Sequence, residues 1–159
     1  MKQMLVSLLL LMAASLQAAD NNVLLLSAAG LGQVQRVQDL ISQGGDANAK
    51  NPAGRPVLVL AAFNGNVRTL RVLIGAGADV NAVDGAGNTA LMEAAAFGHY
   101  DAVVALIMAG SDVNLKNTAG FSALSRTTLG KYESIKQLLL ESGAVDETAK
   151  GEEGEEEKK

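Results

Sequence analysis

Cysteine and tryptophan are absent from the 159 residues, and histidine occurs once. Without cysteine there is no disulfide scaffold, cysteine nucleophile, thiolate zinc site or lipid-anchored cysteine. One histidine excludes a multi-histidine metal centre. Aromatic residues make up 3% of the chain, too few for a stacking platform that reads nucleic acid or sugar. A net charge of -4 argues against a phosphate backbone as partner, because such binders carry clustered positive charge. Small residues are plentiful: 17 glycines and many alanines within a 48% hydrophobic composition. Such a composition suits thin, close-packed helices, and the length suits one domain.

Residues 1–19 have the three-part layout of a secretory signal peptide. Lys2 supplies the positive start, Met4 to Ala14 an uncharged and mostly leucine run, and Ser15 to Ala19 a small-residue exit. Cutting after Ala18 leaves Leu16 at the third position upstream, and cutting after Ala19 leaves Gln17 there, so the cleavage site stays open. The apolar run is shorter than the roughly 20 residues that cross a bilayer, so no integral membrane segment is expected in the mature form. Lack of cysteine agrees with export, and the short positive start points to a bacterial periplasmic or secreted protein. At the other end, residues 148–159 form a charged tail. From Asp146 onward there are seven acidic and three basic residues, against ten and nine between Ala19 and Val145. Such a run is expected to stay disordered. It would serve as a solubilising tail, or as a tether for a basic partner or a weak Ca²⁺ contact.

A 33-residue step organises the rest. Asp46-Ala47-Asn48 recurs as Asp79-Val80-Asn81 and Asp112-Val113-Asn114. Leu58, Leu91 and Leu124 keep the step, as do Gly32, Gly65 and Gly98, and Gly44, Gly77, Gly110 and Gly143. Within one unit, Pro56 suits a helix start and Val57 to Phe63 a short helix. Asn64-Gly65-Asn66 breaks it, and Thr69, Leu70, Leu73 and Ile74 recur at helical spacing. Gly75-Ala76-Gly77 closes the second helix. A helix pair this thin cannot bury its apolar face alone, so neighbours must stack. Four units can be drawn, over 20–50, 51–83, 84–116 and 117–147. Asp20-Asn21-Asn22 is expected to cap a first helix near Val23. In the last unit Gly130 comes one residue early relative to Gly98, which reads as a one-residue slip made good before Gly143, as terminal units often show.

Thr89-Ala90-Leu91-Met92-Glu93-Ala94-Ala95, Gly98-His99 and Leu73 to Asn81 resemble the ankyrin-repeat family, over about residues 20–147. The resemblance implies an all-α repeat solenoid of about four helix-turn-helix units, each with a projecting hairpin loop. It also implies that His99 bonds backbone at the helix–helix turn. Partner contacts would fall on hairpin tips and the exposed ends of the first helices. Those positions include Leu31, Lys50, Arg55, Phe63, Asn64 and Val83, followed by Asn88, Phe97, Lys116, Phe121 and Leu129. The apolar members form either a binding strip or edge core; both uses bury the same area.

Residues for chemistry are scarce. No serine or aspartate is spaced to make a triad with His99. Gly85-Ala86-Gly87-Asn88 lacks the lysine and hydroxyl of a phosphate loop. Asp79 and Asp112 are turn residues. Glu93 and Arg126 lie 33 apart, so they are placed to pair across adjacent units. The expectation is a non-enzymatic protein, without cofactor or metal, monomeric when free, that binds another folded protein in the periplasm. Small exported bacterial ankyrin proteins are similar in layout. The likeness implies an inhibitor or immunity protein against a periplasmic enzyme such as a peptidoglycan hydrolase. The alternatives are an accessory factor for catalase or peroxidase in oxidative-stress defence, and a structural spacer.

Overall fold

The computed structural model describes residues 20–146, together with Ser7 and Met12, and the backbone but not the side chain of Leu129. The expected signal peptide, those two residues apart, and the acidic tail lie outside the described residues. Between residues 20 and 146 eight helices follow one another: α1 (20–30), α2 (Val34–Ser42), α3 (Val57–Phe63), α4 (Val67–Gly75), α5 (Ala90–Ala96), α6 (Tyr100–Met108), α7 (Ala123–Gly130) and α8 (Glu133–Glu141). No strand forms among the described residues; two isolated antiparallel bridges, Lys50 to Pro56 and Val83 to Thr89, pinch off hairpins. The molecule is an all-α repeat solenoid.

The unit holding α5 and α6 shows how the sequence makes this shape. Thr89 takes extended backbone and its hydroxyl accepts the Met92 N–H at 3.2 Å, starting α5. Leu91, Met92, Ala94 and Ala95 bury two sides of that helix. Gly98, with φ 75°, reverses the chain. The helix α6 then closes on Gly110, whose N–H bonds the Ile107 carbonyl while the Ser111 N–H bonds that of Leu106.

Stacking produces two layers. Odd helices pack in the order α3, α5, α7, and even helices in the order α2, α4, α6, α8. Alanine pairs at the 33-residue step (Ala28-Ala29, Ala61-Ala62, Ala94-Ala95) are buried where odd helices meet, so their axes approach closely. Between the layers lie Leu25, Leu58, Leu91 and Leu124, facing Leu40, Leu73, Leu106 and Leu139. Each such leucine contributes about 1.5–3 kcal/mol by leaving water.

Asparagines link the units. The Oδ1 of Asn22, Asn48, Asn81 and Asn114 accepts the N–H of Asp46, Asp79, Asp112 and Val145 respectively, at 2.7–2.9 Å. Asn48 and Asn114 also donate to the Gly77 and Gly143 carbonyls. Asn48, Asn81 and Asn114 therefore each satisfy a loop amide of the following unit, and Asn22 does the same for Asp46 within the first. The cap expected of Asp20-Asn21-Asn22 before a helix starting near Val23 does not form. These residues lie within the helix, where Asn21 donates to the Gln43 carbonyl and Asn22 begins the ladder. Tertiary partners override the local preference for a cap.

The last unit keeps register, against the expected slip. Lys131, not Gly130, occupies the position of Gly32, Gly65 and Gly98, and it takes their left-handed conformation with φ 57°. Gly130 ends α7 instead. A Cβ built on Gly130 or on Gly98 would strike the Tyr132 ring. Tyr132 stands where earlier units carry Asn66 and His99, so the larger side chain accounts for the displaced glycine. Thr127 fills an alanine slot because its hydroxyl bonds the Leu124 carbonyl of its own helix at 2.7 Å. Lysine in left-handed backbone costs about 1–2 kcal/mol. Lys131→Gly should raise stability by about 1 kcal/mol in urea unfolding; a loss of stability would show that the lysine stem packs there.

Candidate functional site

The hairpins and the exposed side of the odd helices share one face, called the inner face below. Each hairpin is held by one side chain. The Oδ1 of Asn51, Asp84 and Asn117 accepts the N–H groups two and four residues on, at 2.9–3.1 Å. These Asx turns fix the tips without help from a partner. Adjacent tips are tied together: Asn117 donates to the Asn88 Oδ1 at 2.8 Å, and Thr118 bonds the Ala86 carbonyl through both its N–H and its hydroxyl.

At the centre of the face Phe63 and Phe97 meet edge to face, with ring centroids 4.5 Å apart. The guanidinium of Arg55 lies over the other ring, 5.5 Å from the Phe63 centroid. Phe97 stacks at 6.4 Å on His99 and remains 46% exposed. An aromatic held between two ring neighbours and open on its outer side can contact a partner with little loss of rotamer freedom.

Beside the rings runs a buried charge cluster. Arg55 Nε lies 3.7 Å from Asp84 Oδ2, and Arg126 donates to Glu93 Oε1 at 3.3 Å. Glu93 is only 3% exposed. Burial pushes its carboxyl above the ordinary value of 4.5; Arg126 and then Arg55 pull it down, and Asp84 adds a smaller upward push. A carboxyl with a raised folded pKa binds more protons in the folded state, so its contribution is full below its unfolded pKa and is lost as pH rises through the folded one. Urea unfolding between pH 4 and pH 7 should accordingly show a steeper loss of stability in the wild type than in Glu93→Gln. Equal slopes would contradict this reading.

The model of ankyrin repeats, three copies, matches residues 24–117, more than half of the chain. The chain belongs to the ankyrin-repeat family. Comparison with curated proteins found no match. Ankyrin repeats mediate binding to other proteins, and the family is typically non-enzymatic. No helix among the described residues is long and apolar enough to cross a membrane.

In this ankyrin stack the expected contact positions separate into two groups. Leu31, Lys50, Asn64, Val83, Phe97, Lys116 and Phe121 are exposed, whereas Phe63 is half-buried beneath Phe97. Asn88 is turned inward: it is 9% exposed, bonded to Asn117 and within reach of Asp84. Its role is to join hairpins, so it is withdrawn as a partner contact. Arg55 is no free tip either. Its bonds to Asp84 and Phe63 mean that reversing its charge would disturb fold and binding together. The side chain of Leu129 lies outside the described residues.

His99 Nε2 lies 3.0 Å from the Phe63 carbonyl, the backbone bond that the resemblance implied. Asn66 makes the equivalent bonds to Ala29 and Gly30 one unit earlier. The Glu93–Arg126 pair expected across the stack is present, but buried. What local sequence could not reveal is that Arg55, Asp84, Glu93 and Arg126 form one cluster across three units. A further cavity of about 500 Å³ opens at the last unit, lined by Lys116, Phe121, Leu124, Thr128, Lys136 and Val145 among others. Among the described residues no group of three or more His, Cys, Asp or Glu could hold a metal ion.

Proposed function

We propose that this ankyrin-repeat chain is a non-enzymatic module of the bacterial periplasm that holds and inhibits a periplasmic enzyme, such as a peptidoglycan hydrolase, in the manner of an immunity protein. The observation that carries the binding half of the reading is Phe97, half exposed yet held against Phe63 and His99. Hot spots at protein interfaces are commonly rigid aromatics of this kind, set near the centre of the patch. Periplasmic placement rests on the signal-like layout of residues 1–19.

Capture from periplasmic extract with the tagged chain, read by mass spectrometry, tests the proposal. The expected result is a hydrolase retained by the wild type, lost with Phe97→Ala, and slowed when the pure chain is added back. Retention of a catalase or peroxidase instead would favour the accessory-factor reading. Intact Met1 in the recovered protein, or protein confined to the cytosol, would overturn export.

A further inference from the structure

On the side turned away from the inner face, α6 differs from the other even helices. At the 33-residue step, Val104 stands where α2, α4 and α8 carry Gln38, Arg71 and Gln137. Met108, 82% exposed, stands where they carry Ser42, Gly75 and Glu141. Tyr100 is exposed one turn before Val104, and Ile107 is half-buried beside Met108. Positions 100, 104, 107 and 108 line up as an apolar stripe along one side of a helix. The exposed Leu140 extends it onto α8, one step on from Ile107. Asp101 is the one charge on this side of α6. The flanks of the stripe carry opposite charge, because the even helices pack in the order α4, α6, α8. On α4, Arg68 and Arg71 are exposed and form no ion pair among the described residues. On α8, Glu133 and Glu141 are exposed. Glu133 has Lys136 of its own helix at 3.9 Å, yet keeps 83% of its side chain in solvent. Glu141 accepts from the neutral Gln137 at 3.0 Å, which leaves its charge uncompensated.

We propose that a second copy of this chain docks on α6, about a two-fold axis parallel to that helix. Rotation about such an axis sets α6 against α6, and α4 of each copy opposite α8 of the other. Arg68 and Arg71 then face Glu133 and Glu141 twice over, while the apolar stripes cover each other. A two-fold axis along the stack would instead set α4 against α4, arginine against arginine. Charge complementarity therefore selects the first arrangement. The proposal departs from the monomer expected of the free chain and is independent of the inner-face reading. Both inner faces stay open in the pair, which makes it a bivalent binder.

Sedimentation velocity of the purified full chain, from low micromolar to several hundred micromolar, tests the proposal. Three short helices make a small interface, so a reversible dimer that forms with rising concentration is expected. Met108→Glu, at a position too exposed to unsettle the fold, should weaken the dimer about tenfold or more by setting a charge in the apolar stripe. Arg68→Glu with Arg71→Glu should weaken it too, as should Glu133→Arg with Glu141→Arg, each pair checked for an unchanged melting curve. All four changes in one chain should restore it, since the flanks match again. Phe97→Ala should leave it unchanged. A chain that stays monomeric throughout overturns the proposal, as does a dimer that survives Met108→Glu or is lost with Phe97→Ala. A dimer sensitive to Met108→Glu but indifferent to the charge reversals keeps α6 as the contact and sinks the two-fold arrangement. A monomeric chain that loses a captured partner with Met108→Glu would put a different protein on this face, and that also overturns the proposal.

Discussion

Arg126→Met should lower the stability of the domain by about 3 kcal/mol at pH 7, the lower end of what breaking a buried pair costs. The substitution keeps much of the apolar stem and removes the charge. Glu93 is then left 3% exposed, with Arg55 as its remaining cation and Asp84 opposing it. An exposed pair would contribute only about 0–1 kcal/mol, so the size of the loss distinguishes the two situations. The loss should shrink toward pH 4, where Glu93 takes up a proton and needs no counter-ion. Adding Glu93→Leu to Arg126→Met should recover most of the stability, since an apolar replacement leaves no buried charge. A loss below about 0.5 kcal/mol for Arg126→Met, within the range of ordinary surface changes, would show that Glu93 finds water or another partner.

Phe97→Ala should weaken partner binding about 30-fold or more, equivalent to about 2 kcal/mol, the threshold of a hot spot. Stability should fall by about 1–2 kcal/mol, less than the roughly 3–5 kcal/mol of a fully buried phenylalanine, because nearly half of the ring already faces water. What is lost inside the fold is its edge contact with Phe63 and its stacking on His99. If the ring served only as edge core, the ranking would reverse: the fold would lose 3 kcal/mol or more, and binding would fall only as far as unfolding demands. Both quantities can be measured on one purified variant, by urea unfolding and by titration with the captured partner.

The repeat architecture was legible because its determinants recur in the sequence. Leucines at 58, 91 and 124, glycines at 65 and 98, and the Asp-x-Asn turns all keep the 33-residue step that the stack then follows. Deviations from the step were harder to read. Gly130 looked like a slipped register, but it answers to Tyr132, a ring that approaches it only after the chain has turned. Asp20-Asn21-Asn22 has the composition of a cap and instead lies inside α1, because Asn22 finds the Asp46 amide 24 residues away. At the binding face the positions were legible, but the fate of individual side chains was not. Arg55 and Asn88 occupy contact positions by step, yet their partners Asp84 and Asn117 belong to the next unit or a later hairpin. Whether a polar tip points outward or joins its neighbour depends on what that neighbour carries, and no local pattern records it.

Hydroxyl-radical footprinting of the chain with and without its captured partner addresses the central claim most directly. Phe97 and Phe121 report on the inner face, while Tyr100 and the 82% exposed Met108 report on the even helices behind it. The account predicts that the partner protects Phe97 and Phe121 and leaves Tyr100 and Met108 as reactive as in the free chain. Protection of Met108 and Tyr100 with Phe97 still reactive would place the partner on the back of the stack and contradict it.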